Sequence, residues 1–182
     1  MGQYYKIVNI NKKEYMSPSD FGAGLKLMEF AYPMGPSTVT AALAILLADG
    51  NNRGGGDLRS DYPVFGSWKY DRVAVVGDYA DEHEIFGQVY QTASEFQWRN
   101  VSEDVLVAMV ADHYFAQDYA SLLRGQINNP RWWPPKLVVN MAHRYEDPQD
   151  ANAKVFFENL FLEEGEREDI VRSVRDRFEF RN

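Results

Sequence analysis

The spacing of hydrophobic and polar residues changes along the chain, from strand-like runs near its start to helix-like stripes near its end. Alternating or β-branched apolar runs predict strands at residues 4–10, 14–16, 25–30, 72–76 and 136–140. The first two runs are joined by a polar turn, so together they predict a hairpin. The β-branched run at 72–76 suits a strand that is buried in a sheet.

Apolar residues that recur every three or four positions predict helices at residues 38–48, 102–124 and 166–178. A further helix is predicted to begin at residues 147–148, where a cap residue is followed by proline, and to break at Gly165. Within the long central helix, the helical period predicts that His113 faces the apolar side and belongs to the core instead of acting as a catalytic base.

The order of these elements predicts the fold class. Strands come mostly early and helices mostly late, which favours an α+β fold over a regular βαβ series. We expect a mixed or mainly antiparallel sheet from the N-terminal half, packed with helices mostly from the C-terminal half. Residues 86–93 fit a helix or a strand equally well. The 182 residues suit one globular domain over 1–182, with irregular loops at 49–63 and 126–135.

Composition and charge narrow the range of partners. The chain is 45% hydrophobic and 25% charged, which is typical of a folded globular protein. Its 27 acidic and 19 basic residues give a net charge of −8, without the basic cluster that phosphate binding needs, so nucleic acid is an unexpected partner. No cysteine is present, which excludes disulfides, thiol nucleophiles and zinc–thiolate sites.

No part of the sequence predicts a membrane protein. No apolar run approaches the roughly 20 residues that span a bilayer, and the first residues lack the pattern of a signal peptide. We therefore expect a cytoplasmic protein. With nucleic acid and membrane both unexpected, the expected partner is another protein or a second copy of the chain.

Four segments of the first half resemble one family. They read M-G-Q-Y-Y-K-I-V-N, F-G-A-G-L-K-L-M-E, L-A-D-G-N-N-R-G-G-G-D-L and G-S-W-K-Y-D-R-V-A-V-V-G-D-Y-A-D. Together they are similar to a set of small uncharacterised bacterial and phage proteins, over roughly residues 1–81. That set has no established activity, so no residue roles follow from it. The resemblance implies a phage- or mobile-element-associated accessory protein that modulates a host component.

The acidic segment after the 72–76 strand carries the strongest catalytic motif. Gly77 is followed by Asp78 and then Asp81, which resembles the G-D-x-x-D piece of calcineurin-type metallophosphoesterases. In that family the first aspartate bridges two metals, and the resemblance gives this role to Asp78. The family's D-x-H, G-N-H-E and G-H-x-H elements have no counterparts in this chain.

The same segment is a candidate metal site without the family. Asp78, Asp81 and His83 offer oxygen and imidazole ligands suited to Mg²⁺ or Mn²⁺, and they are the candidate catalytic residues of a metal-dependent hydrolase. The alternative is a solvated turn in which the aspartates cap the backbone.

A glycine-rich segment is a second candidate ligand site. Consecutive N–H groups at Gly54, Gly55 and Gly56 could bind a small anion, with Arg53 and Arg59 adding positive charge. The segment lacks the G-K-[ST] ending of a phosphate loop, so a surface loop without a ligand is the alternative.

The prolines around residue 132 frame a candidate interaction surface. Trp132 and Trp133 lie between prolines that hold the segment extended, and two adjacent indoles do not readily enter one core. With Arg131 beside them, they are predicted to anchor a protein partner. Binding of a protein or self-association is therefore our leading hypothesis for function, with metal-dependent hydrolysis and small-anion binding as alternatives.

Overall fold

The computed structural model of the chain describes residues 2–31, 38–50, 62–80, 87–94, 97–127, 129 and 134–179. The strands in these ranges are β1 (Tyr5–Asn9), β2 (Glu14–Met16), β3 (Val73–Gly77) and β4 (Arg99–Asn100). The helices are α1 (Leu27–Ala31), α2 (Thr38–Leu47), α3 (Gly87–Ser94), α4 (Ser102–Val110), α5 (His113–Ile127), α6 (Lys136–Arg144), α7 (Ala151–Leu160) and α8 (Glu164–Glu179), with a 3-10 helix at Pro18–Phe21. The predicted α+β class is confirmed.

The hairpin of β1 and β2 forms the centre of a four-stranded mixed sheet with the order β3–β1–β2–β4. β1 runs antiparallel to both of its neighbours, and β4 runs parallel to β2. Alternation along β1 sends Ile7 into the main core and Val8 to the opposite face, where it packs with Val76 and with Ala93 of α3.

Helix α4 lies at the centre of the main core. Every side chain from residue 105 to residue 110 is buried, and the helix packs against α2, α5 and α7. Trp68 is fully buried beside it in the same cluster and donates its indole N–H to Glu14 Oε2 at 2.7 Å. Within the described residues, no helix combines the length and apolar composition that a membrane crossing requires.

Two predicted strands are helices, and both predictions were wrong for a local reason. At 25–30 the chain forms α1, where the Glu29 carboxylate reaches back to the backbone N–H of Lys26 (3.2 Å) and satisfies a donor at the helix start. At 136–140 it forms the start of α6, in which Lys136, Asn140 and His143 are exposed at a helical spacing that five residues are too few to reveal. The residues between them, Leu137, Val138, Val139, Met141 and Ala142, are buried.

The predicted long helix at 102–124 is divided into α4 and α5. The division lies at Asp112, whose Oδ1 accepts hydrogen bonds from the backbone N–H groups of Tyr114 (3.1 Å) and Phe115 (3.0 Å). A side chain that caps in this way starts a new helix. Residues 126–127, predicted as loop, belong to the end of α5.

The starts of α7 and α8 differ from prediction, and the structure resolves one segment that the sequence left ambiguous. α7 begins after Asp150, which accepts a hydrogen bond from the N–H of Ala153 (2.9 Å), instead of at 147–148. Gly165 was predicted to break a helix, but it lies in the first turn of α8. The ambiguous segment 86–93 forms a helix, α3. The predicted loop at 49–63 lies mostly outside the described residues, as does half of the predicted loop at 126–135.

Candidate functional site

Asp78 lies in the turn after β3 and ties that turn to the start of β1. Its Oδ1 accepts the backbone N–H of Tyr4 at 2.9 Å, and its own N–H donates to the Tyr4 carbonyl at 3.0 Å. One carboxylate oxygen of Asp78 is therefore engaged in holding the sheet together, as expected of an aspartate that caps a turn.

The other residues predicted to form sites lie outside the described residues. They are Asp81 and His83 of the metal or catalytic site, Arg53, Gly54, Gly55, Gly56 and Arg59 of the anion site, and Arg131, Trp132 and Trp133 of the partner surface. These assignments stay predictions. Among the residues that are described, no three carboxylate or imidazole side chains lie close enough together to hold a metal ion.

His113 does not belong to the core, so that prediction was wrong. Because Asp112 restarts the helix, His113 becomes the first residue of α5, where its side chain is exposed beside the ring of Tyr114. It lies at one end of a groove that the packing of three helices creates.

The groove runs along α5, opposite the end of α7 and the start of α8, and has a volume of about 500 Å³. Its lining residues are His113, Ala116, Gln117, Ala120 and Arg124 from α5, Asn159 and Leu160 from α7, Leu162 and Glu163 from the connection, and Glu166 from α8. Ala116, Ala120 and Leu160 are buried, so the groove has an apolar floor, while the rim is polar and charged. Apolar floors with a few polar groups at the edge are typical of binding sites.

An ion pair forms one end of the groove. The guanidinium of Arg124 meets the Glu166 carboxylate at two points, Nε to Oε1 at 2.5 Å and Nη2 to Oε2 at 3.0 Å. This pairing lowers the pKa of Glu166 and raises the pKa of Arg124. The guanidinium also lies 5.3 Å from the centre of the Phe161 ring. The pair is held from two sides and fixes α5 against α8.

Leu162 stands on the rim of the groove with 81% of its surface exposed. Arg167 holds the Leu162 segment by donating to the Phe161 carbonyl at 2.8 Å and to the Tyr145 hydroxyl at 3.0 Å. Tyr114, next to His113, is 79% exposed but is not among the residues that line the groove. Leu162 is thus the large apolar side chain that the groove's lining presents to solvent beside the apolar floor.

A second cavity of about 380 Å³ contains charges that are already paired. Arg144 donates to Glu103 and to Asp150, both at 2.6 Å, and to the backbone carbonyl of Asn140 at 3.2 Å. These contacts join α4, α6 and the start of α7. The network around Arg144 therefore stabilises the helix layer, and most of the charge that lines this cavity takes part in it.

A third polar feature lies on the α3 side of the sheet. The ammonium group of Lys6 lies 4.9 Å from the centres of both the Tyr15 and the Tyr90 rings. Burial lowers the pKa of Lys6, and the nearby carboxylate of Asp20 partly opposes that shift. Cation–π contacts on two sides join the sheet to α3, which is a stabilising role.

Comparison of the chain with protein-family models gave no match, and neither did comparison with curated proteins or with solved structures. The resemblance of residues 1–81 to bacterial and phage proteins stays a prediction. Any role of the groove between α5, α7 and α8 is therefore inferred from its own geometry and charge.

Proposed function

We propose that this protein acts by binding another protein, and that the groove between α5, α7 and α8 receives a basic, amphipathic segment of the partner. The observation that carries the proposal is the exposure of Leu162 on a fixed segment beside the buried floor at Ala116 and Ala120. Interfaces have a well-packed apolar centre and a polar rim, and this groove has both parts.

The length of the groove suits a short helix. His113 and Arg124 lie eleven positions apart on α5, which corresponds to roughly 16 Å along the helix axis. A partner helix of about three turns covers that length. The alanines leave room for a large apolar side chain of the partner, and Leu162 would cover it from the rim.

Charge selects a basic partner. Arg124 and Glu166 neutralise each other, which leaves the carboxylate of Glu163 as the uncompensated full charge among the lining residues. The sequence around it, from 163 to 169, contains five acids and a single arginine, and the chain carries a net charge of −8. Lysine or arginine on the partner's polar face would be attracted to this rim and would speed encounter.

The wider prediction belongs to the same proposal. A cytoplasmic accessory protein, associated with a phage or mobile element and acting on a host protein, would use such a groove to engage its target. Arg131, Trp132 and Trp133 keep their predicted role as additional anchors for that partner.

The test uses a fluorescent amphipathic peptide of about 14 residues, with leucine on one face and lysine on the other. We expect saturable binding in an anisotropy titration. Leu162→Ser should weaken that binding about tenfold or more, since burying a leucine side chain contributes about 1.5–3 kcal/mol. A peptide with glutamate in place of lysine should bind far more weakly.

Met28→Ser is the matched control, because Met28 is also a large exposed apolar residue but lies on α1, away from the groove. It should leave binding unchanged. Equal binding of the lysine and glutamate peptides, or equal losses in the two serine variants, would contradict the proposal.

A further inference from the structure

Among the described strands, β3 is the last of the sheet, so its outer side is an edge. Hydrogen bonds from Ile10 N–H to the Arg72 carbonyl and from Asp78 N–H to the Tyr4 carbonyl mark the two ends of its ladder with β1. In an antiparallel ladder, alternate residues direct their backbone groups to the same neighbour. The backbone N–H and carbonyl groups of Ala74 and Val76 therefore point towards β1. Those of Val73, Val75 and Gly77 point away from β1.

Within the described residues, this edge carries no charge, proline or bulge that would prevent strand pairing. β3 is the terminal strand of the sheet, and the backbone groups of Val73 and Val75 make no hydrogen bond on the outer side to any described residue. The strand contains no proline and no charged residue, and its central residue, Val75, is 46% exposed. Natural sheets usually protect an edge with a charge, a proline or a bulge.

The sequence around the edge is complementary to itself. If two β3 strands pair antiparallel about Val75, Val73 lies opposite the partner's Gly77, and Arg72 lies opposite the partner's Asp78. Outward-facing residues would then meet as hydrogen-bonded pairs and form about four main-chain hydrogen bonds, because the Gly77 carbonyl already accepts the Ala80 N–H at 3.3 Å. The same register creates two opposite-charge pairs, which are favourable when they lie directly across a strand pair.

Within the described residues, each of the two charged side chains has polar atoms left for these contacts. Arg72 is exposed, and its guanidinium makes no hydrogen bond or ion pair with the part of the chain that is described. Asp78 uses Oδ1 for the Tyr4 N–H, which leaves Oδ2 without a hydrogen bond to a described residue. Arg72 lies two positions before Ala74, and Asp78 lies two positions after Val76. Residues two positions apart share a face of a strand, so both charged residues lie on the α3 side of the sheet.

We propose that two copies of this chain pair through β3, centred on Val75, and join their sheets into one continuous sheet. The occupant of the edge is a second copy because the register brings Arg72 against the partner's Asp78 twice, by symmetry. This surface is separate from the groove at Leu162, so self-association and partner binding are independent and can be tested separately.

The test is sedimentation equilibrium of the full chain over a range of concentrations. We expect a monomer–dimer equilibrium with a dissociation constant on the order of 10–100 µM, because a strand edge is a small interface. Arg72→Glu places like charges at both pairs and should weaken association about tenfold or more, as should Asp78→Lys. A one-to-one mixture of the two variants restores opposite charges at both pairs and should form a heterodimer.

Val75→Lys provides a second route, since it places two ammonium groups at the centre of the interface without touching the Asp78 contact to Tyr4. It should be monomeric with an unchanged circular dichroism spectrum, whereas Val75→Thr should still dimerise. Leu162→Ser should dimerise like the wild type. A wild type that stays monomeric at all concentrations overturns the proposal, and so does a dimer that none of the β3 substitutions weakens.

Discussion

Tyr119 offers the sharpest test of the described packing. Its side chain is 1% exposed in α5, stacked on the ring of Phe115 at 5.6 Å and edge-on to Phe156 at 6.3 Å. Its hydroxyl has no hydrogen-bond partner among the described residues. An unpaired buried polar group costs about 1–3 kcal/mol, and phenylalanine keeps the ring contacts without that group. We therefore predict that Tyr119→Phe raises the free energy of unfolding by about 1–2 kcal/mol.

Urea unfolding at neutral pH measures this change. The midpoint should rise while the slope with urea concentration stays the same, because the substitution alters stability and leaves the exposed surface almost unchanged. The melting temperature should rise by about 2–4 °C for each kcal/mol, as expected for a chain of this size. A lower stability in Tyr119→Phe would mean that the hydroxyl makes a hydrogen bond, and would refute the packing described for α5.

Alkaline pH gives the same prediction a second readout. Burial raises the pKa of Tyr119 above its ordinary value. In the unfolded chain the hydroxyl loses its proton near pH 10, whereas in the folded chain it keeps the proton to higher pH. The wild type therefore loses about 1.4 kcal/mol of stability per pH unit above about pH 10 through this group, a loss that Tyr119→Phe lacks. The stability gap between the two proteins should widen above pH 10, and a constant gap would contradict the burial.

Two further substitutions test the helix boundaries around the groove. Asp112→Ala should lower the free energy of unfolding by about 1 kcal/mol, because it removes the acceptor for the N–H groups of Tyr114 and Phe115, whereas Asp112→Asn should lose much less. Both are measured by urea unfolding, and equal losses would contradict the capping role. Glu166→Gln should be less stable than the wild type at neutral pH. The hydrogen bonds from Arg124 lower the pKa of Glu166 in the folded protein. The pair therefore contributes its full stability above the pKa of an ordinary glutamate, and this contribution is lost as pH falls through the lowered pKa of the folded protein. The difference in free energy of unfolding between the wild type and Glu166→Gln should therefore shrink in acid and in high salt. A difference that changes with neither would show that the carboxylate charge does not contribute to stability.

The elements that were predicted correctly have a strong local pattern. β1 and β3 carry β-branched residues, and the predicted strands at 4–10, 14–16 and 72–76 match β1, β2 and β3 closely, as the predicted helices at 38–48 and 166–178 match α2 and α8. The failure at 136–140 has the opposite cause. Three apolar residues between a lysine and an asparagine fit a strand and a buried helix equally well, and the helical spacing of exposed residues appears only when His143 is included.

Other differences arise from contacts that a periodic pattern does not contain. The division of the long helix depends on one carboxylate, Asp112, that competes for backbone N–H groups within an otherwise helical sequence. β4 consists of two residues that pair in parallel with β2, and the paired residues Tyr15 and Asn100 are far apart in the sequence. Such short, distant pairings leave no local signal.

The groove could not be predicted from the sequence, because it forms where three helices meet. Arg124 and Glu166 are 42 positions apart, and only the packing of α5 on α8 brings them together. One local signal was available. Leu162 is an apolar residue directly before an acidic run, between two helices, where a polar residue is usual. The capping alternative for Asp78, by contrast, was open from the sequence and agrees with its contact to Tyr4.

The central claim is that the groove between α5, α7 and α8 binds a basic amphipathic segment. The most direct measurement is a ¹⁵N–¹H correlation spectrum of the labelled protein, titrated with the leucine–lysine peptide. We predict saturable shifts at the amides of Ala116, Ala120 and Leu162, with the amide of Met28 on α1 unchanged. Shifts that centre on another surface, or that spread evenly over acidic residues without saturating, would contradict the claim.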